Sequence, residues 1–337
     1  MKKVMAVLAV MILGFTGVAY AGITDDVQTA TNDIKTDFSS VSSWFGSQLK
    51  PGLEFNASGG MYLPANVCHL LGFEIGAIAG LNTFNIDLSA FKNLAMNAFD
   101  ANKYALPEML ALPQVMVHAK VGLPFDLDLG AKYGTSEISI DVTGTKFAFK
   151  NQAMGAEVRK KIIGGGLEGI ILPDISIGVG MDMLTGSLTA GQAYNVTNTD
   201  TYSGYNYTQT VNAATTLSSD WAITSMNAKL MVSKYLLFVT PFAGAAAYYN
   251  TSKVNTKVNT NGSITLTEYT SASTSSSSAF TIEGPGNLES TGMDIGYFGG
   301  LEFSILVVKI NVSGEYRMGE TRNKDRYCVN AGLRLEF

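Results

Sequence analysis

Apolar and polar residues alternate with a period of two in one segment after another. Over 293–305, Met293, Ile295, Tyr297, Leu301, Phe303 and Ile305 alternate with Asp294, Gly296, Gly300, Glu302 and Ser304. Over 308–318, Val308, Ile310, Val312, Tyr316 and Met318 alternate with Lys309, Asn311, Ser313, Glu315 and Arg317. The pattern recurs in 53–63, 73–82, 115–123, 125–133, 174–183 and 222–232. Successive side chains of a strand point to opposite faces, so each segment predicts a strand with one apolar and one polar face. Two architectures use such strands: a soluble sandwich with its polar face in water, and a membrane barrel with its apolar face in lipid. The connections favour the barrel. Residues 123–124, 233–235 and 306–307 are tight reversals, whereas 190–218 and 251–291 are long and polar. In 251–290, 21 of 40 residues are Ser, Thr or Asn, a composition expected to stay loop-like. Short turns at one rim and long loops at the other, outer rim describe an outer-membrane barrel.

The fold class is therefore all-β, an antiparallel transmembrane β-barrel of about twelve strands, with ten to fourteen accommodated. The preferred register places strands at about 52–63, 71–84, 111–122, 125–134, 138–150, 154–163, 174–188, 219–234, 236–250, 292–305, 307–318 and 326–337. Its weak point is a change of phase in 138–149, where Ile138, Ile140 and Val142 give way to Phe147 and Phe149. A second register makes Thr143-Gly144 the tip of an outer hairpin; it has ten strands and leaves 52–63 as a piece that does not span. The cysteines separate the two. Twelve strands bring Cys68 and Cys328 to the same rim, where a disulfide is geometrically accessible; ten strands put them at opposite rims, both free.

Helical spacing marks 23–49, where Ile23, Val27, Ile34, Phe38, Val41, Trp44, Phe45 and Leu49 recur before Pro51 and Gly52. Residues 22–50 are thus expected to form an amphipathic helical segment, either a plug entering the lumen from below or a periplasmic flap. The barrel then occupies 51–337. A second helical stretch over 88–110 would cap one rim.

Composition sharpens this picture. Only 15% of the 337 residues are charged, against about 25% in ordinary soluble domains. The net charge of -5 argues against a nucleic-acid partner. Lys2 and Lys3, the apolar run 4–18 and Ala19-Tyr20-Ala21 have the form of a secretory signal peptide, residues 1–21, cleaved near Ala21. Removing two lysines leaves 23 − 2 = 21 basic against 28 acidic residues, about -7. No later stretch has 18 uninterrupted apolar residues, so a helical membrane span is not expected.

The chain closes on Tyr327-Cys328-Val329-Asn330-Ala331-Gly332-Leu333-Arg334-Leu335-Glu336-Phe337. Asn330, Gly332, Leu335 and Phe337 fall where the terminal signal of bacterial outer-membrane β-barrel proteins has its polar, Gly, hydrophobic and terminal aromatic residues. The chain resembles that class. The resemblance implies that the barrel-assembly machinery reads the last strand, with outer-membrane lipid as surroundings in a Gram-negative-type bacterium. A helical segment ahead of a barrel of this size is also similar, in architecture only, to the long-chain fatty acid and hydrocarbon transporters. Their Asn-Pro-Ala motif is absent, Leu63-Pro64-Ala65 being the nearest text, so no binding residue is carried over.

Alternation also assigns an inward, lumen-lining set: Glu74, His118, Lys120, Asp126, Asp128, Lys132, Glu157, Arg159, Lys161, Asp182, Lys229, Glu302, Lys309, Glu315, Arg317, Arg334 and Glu336. In a narrow barrel facing pairs of these would neutralise one another; in a wider one they would line a watery path. With two His and two Cys in all, neither a multi-ligand metal centre nor a cofactor is expected. His69 beside Cys68 is too little for a metal site. A hydrolase would have to pair His118 with Asp126 or Asp128, and an ordinary lumen histidine is the simpler reading. The expectation is a non-enzymatic, porin-like channel or transporter for a small, hydrophobic or other, solute. The alternative is a structural or adhesive surface protein with a sealed barrel.

Overall fold

Among the described residues, ten strands pair edge to edge into one closed antiparallel ring. The computed structural model describes residues 25–94, 108–142, 145–164, 172–202, 205–269, 274–318 and 325–337. Helix α1 (Asp25–Ser58) comes first, then β1 (Phe73–Asn85), the short helix α2 (Leu88–Lys92), β2 (Met109–Leu123), β3 (Leu127–Val142), β4 (Thr145–Ile163) and β5 (Asp174–Tyr202). After them come β6 (Tyr205–Ser233), β7 (Val239–Tyr269), β8 (Thr274–Ile305), β9 (Val308–Arg317) and β10 (Arg326–Glu336). Each strand pairs with its sequence neighbours. The ring shuts where β1 meets β10, from Glu74 opposite Glu336 to Phe84 opposite Arg326.

The outer face is an apolar belt. Ile75, Val117, Leu129, Val158, Val179, Leu230, Ile295, Ile310 and Leu333 all point outward and lie exposed. Phe73 stacks on Phe337 at the short-turn rim, and Tyr316 packs on Tyr327 near the other. From Tyr327 to Phe337 is ten strand rises, about 33 Å, which a tilt of about 40° reduces to about 25 Å, the height of an outer-membrane apolar band.

Among the described residues the count is ten rather than twelve, and the reason is local. Residues 52–63 are not a strand: α1 runs on through Pro51 to Ser58, and the rest is irregular. Proline removes one helical N–H, but Leu49, Leu53, Phe55 and Ala57 are at most 4% exposed, and this burial holds the helix together. The three segments 125–134, 138–150 and 154–163 are two strands, β3 and β4, paired up to Val142 opposite Thr145. The proposed tip, Thr143-Gly144, lies outside the described residues, as do the signal segment and most of 88–110.

Residues 190–218 and 251–291 are likewise not loops. β5 and β6 stay paired out to Tyr202 opposite Tyr205, β7 and β8 to Glu268 opposite Thr274, and β6 and β7 out to Asn206 opposite Tyr269. A four-stranded sheet therefore stands beyond the ring. From Thr251 to Tyr269 it rises through 18 residues, roughly 60 Å along the strand. Its inner face explains why a Ser/Thr-rich sequence folds. Leu188, Ala190, Leu217, Val254, Val258 and Ile282 form one core with Phe38, Val41, Phe45 and Leu49 of α1. Burying each large side chain of that set contributes about 1.5–3 kcal/mol. The approach is close at two glycines of β8. A Cβ on Gly284 would strike Phe38 and the Ser39 nitrogen, and one on Gly286 the backbone of Ser42 and Ser43. The Ser42 hydroxyl accepts from the Val258 N–H (3.1 Å) and donates to the Gly284 carbonyl (2.7 Å), joining helix to sheet.

Candidate functional site: the filled lumen

The last turns of α1, from Gly52, and residues 59–72 run along the inside of the ring, and the inward charges close on them in successive layers. Nearest the short-turn rim, Arg334 Nε and Nη2 reach Glu302 at 2.9 and 2.7 Å, and Nη1 pairs with Glu74. Glu74 also meets His118 Nε2 at 3.0 Å and Lys120 Nζ at 3.5 Å. β1, β2, β8 and β10 are tied across the lumen by this cluster. Beside it, Arg159 pairs with Asp128 and donates to the carbonyls of Pro64 (3.1 Å) and Asn66 (3.3 Å). Glu157 pairs with Lys229. One level up, Lys132 pairs with Asp182 at 2.9 Å and donates to the Gly59 carbonyl at 2.9 Å; Asn227 also donates to Asp182.

Glu315 organises the next layer. It accepts from Arg317 Nε at 2.7 Å, Arg317 Nη2 at 3.2 Å, Tyr248 Oη at 2.9 Å and Tyr62 Oη. The Arg317 guanidinium lies 3.6 Å from the Tyr248 ring centre and 4.5 Å from that of Phe55. Above it Arg326 forks onto Asp294 (2.7 and 3.0 Å), and Glu54 takes Lys50 (2.9 Å) and Ser252 (2.5 Å). At the long-hairpin rim, Trp44 packs on Phe91 of α2, ring centres 4.7 Å apart.

Glu74, His118, Lys120, Asp128, Lys132, Glu157, Arg159, Asp182, Lys229, Glu302, Glu315, Arg317 and Arg334 are buried in the lumen. Lys161, Lys309 and Glu336 are half-buried. Asp126 is a correction. It occupies the left-handed turn between β2 and β3, with φ of 56°, and is exposed at the rim, because the alternation ends with the strand. A His118–Asp126 dyad is thereby excluded, and His118 is bound to Glu74 instead.

The disulfide is a second correction: both cysteines are free and buried. With ten strands Cys328 begins β10 opposite Asn82, whereas the Cys68 carbonyl lies against Gly122 at the short-turn end of β2. Burial pushes the Cys68 thiol above its ordinary value. A crevice at that rim is lined by Cys68, His69, Phe125, Asp126, Lys161 and Asp174. Of the terminal signal, Asn330 is buried in the lumen, Gly332 faces Asn311, and Leu335 points out; Phe337 exchanges backbone hydrogen bonds with Phe73.

Sequence reasoning missed Tyr62, Tyr248, Glu54, Asp294, Arg326 and Asn250. Asp294 shares its face with Glu302, and Arg326 shares its face with Asn330 and Arg334, so these two carried a readable signal, whereas the Ala-rich stretch around Tyr248 and Asn250 shows no clear alternation. Tyr62 carried none, since it lies on no regular element.

A family described as Lsa36-like matches residues 96–337, a span that begins after α1 and β1. No curated protein matches the sequence. Among solved structures, the translocator domain of the autotransporter NalP from Neisseria meningitidis is 9% identical, covers 96% of this chain and 100% of its own, and has a TM-score of 0.31. The outer-membrane protease OmpT from Escherichia coli is 9% identical over 79% of this chain and 96% of its own, at 0.36. Ail, the attachment invasion locus protein of Yersinia pestis, is 9% identical over 80% and 100%, at 0.29. The barrel rests on its own strand pairing, not on these likenesses.

Proposed function

The chain belongs to the Lsa36-like family, and for it we propose a sealed outer-membrane barrel that holds a four-stranded sheet outside the cell for structural or adhesive contacts. The observation that carries this reading is the occupied lumen. The last turns of α1 and residues 59–72 fill it, and cations of the wall are engaged by their carbonyls at Ala57, Gly59, Pro64 and Asn66. Charges so paired are costly to separate, and a solute would find few of them available. The apolar belt takes outer-membrane lipid, and the terminal strand with Phe337 is offered to the barrel-assembly machinery.

A passive channel for small molecules, the other expectation, requires this segment to leave. Planar-bilayer conductance of the refolded protein, with and without residues 25–58, separates the two. The full chain is expected not to conduct. Steady conductance from it would refute the sealed barrel and restore the channel, whereas conductance after truncation alone would make α1 a plug.

A further inference from the structure

We infer that the lumen is threaded outward, so that the chain ahead of Phe38 emerges on the side of the long hairpins and the mature amino-terminal end is displayed at the cell surface. Which side is outside rests on the reading above; the threading itself does not.

The direction is written in the contacts with β7. Ser42 meets Val258, Gly46 meets Thr256, Glu54 meets Ser252, and Tyr62 shares Glu315 with Tyr248. As the first segment advances, its partner on β7 steps steadily back towards Val239 and the short turn. The spacing agrees. Twelve residues of helix from Ser42 to Glu54 rise about 18 Å, and six strand residues from Val258 to Ser252 rise about 20 Å. Beyond the helix the descent continues, with Asn66 against Arg159, Cys68 against Asp128, and His69 against Gly122 beside the β2–β3 turn. Phe73 then enters β1 next to the terminal Phe337. The segment thus traverses the ring from the hairpin rim to the short-turn rim, and its earlier end cannot lie at the latter. Burial changes at the same place: Lys35 and Thr36 are exposed, and Phe38 is 2% exposed.

The expectation of a flap or a plug entering from below is therefore reversed. A short polypeptide joined ahead of Asp25 would share the route and be held outside.

The test uses the full chain with Cys68→Ala and Cys328→Ala, carrying one new cysteine at a time: Lys35→Cys, Ser275→Cys at the hairpin end, or Tyr235→Cys at a short turn. Intact cells are treated with a polyethylene-glycol maleimide too bulky for porins, before and after the outer membrane is permeabilised. Threading predicts that the positions 35 and 275 give the gel shift on intact cells and that position 235 gives it only after permeabilisation. Position 35 sorting with 235 would overturn it. If 235 shifts on intact cells and 275 does not, the orientation is wrong and the surface display falls with it. Threading is then decided by the partner with which 35 sorts. Should Lys35→Cys fail to assemble, an epitope placed ahead of Asp25 and probed by antibody on intact cells distinguishes the same two outcomes.

Discussion

Arg317→Met isolates the value of the lumen's central charge pair. Arg317 is fully buried, two of its nitrogens hold Glu315, and its guanidinium stacks between Tyr248 and Phe55. Methionine fills much of the same volume, so the loss is chiefly electrostatic. It leaves Glu315, 4% exposed, with only the hydroxyls of Tyr62 and Tyr248. Removing one partner of a buried ion pair costs about 3–5 kcal/mol, or roughly two to three and a half decades in the unfolding equilibrium at about 1.4 kcal/mol per decade. Adding Glu315→Gln takes away the stranded charge and leaves an amide oxygen to accept from one tyrosine and an amide NH2 to donate to the hydroxyl oxygen of the other. The double variant is therefore expected to recover more than half of the loss. Urea unfolding in detergent micelles measures this, with Trp44 on the helix and Trp221 on the wall as the two natural fluorophores. If the single substitution costs less than about 1 kcal/mol, or if the two losses simply add, then Glu315 and Arg317 are not a coupled pair and the reasoning fails.

Trypsin added to intact cells should leave Lys253 and Lys257 uncut. Both lie in β7 with paired strands on either side, and they face Glu289 and Glu283 at 2.5 and 2.7 Å; ready cleavage there would mean the hairpin is a loose loop. The mobility of the folded protein on a non-reducing gel should not respond to reductant, and its two thiols should titrate only in denaturant. Because the Cys68 thiol is raised in the fold, its contribution is fully present below the unfolded value near 9.0 and is lost as pH climbs through the higher folded value. Cys68→Ala should flatten that alkaline decline in a pH series of urea midpoints.

The faces of the strands were legible because lipid and lumen impose opposite chemistry on alternate residues. That rule put Glu302, Arg334 and Lys132 on the polar face without any knowledge of their partners. The partners themselves were not legible. Glu74, Arg334 and Glu302 come from opposite ends of the chain, and only ring closure and register bring them together. Residues 53–63 alternate as a strand would, yet they sit inside a lumen where every side is covered, so periodicity there reports nothing about solvent. The phase change within 138–149 fell where β3 ends and β4 begins, with Val142 paired to Thr145, and it was the feature that favoured ten strands. The long hairpins were read as loops because Ser and Thr bury little by themselves; their fold depends on apolar residues of a helix far away along the chain, Phe38 to Leu49.

Once the sheet leaves the ring it ceases to be a cylinder and acquires edges. β4 stops pairing at Thr145 opposite Gln192, and β9 stops at Arg317 opposite Gly296. Among the described residues, 274–295 of β8 and 193–202 of β5 therefore have a strand on one side only. Such margins invite a neighbouring chain to continue the sheet. On β8, Pro285 withdraws one main-chain donor, and Glu283 and Glu289 stand along the rim with their lysines beside them. Proline and charge are the means by which open sheets avoid lateral growth. In a crowded membrane, proline and charge along such a margin oppose the zipping together of neighbouring barrels above the lipid.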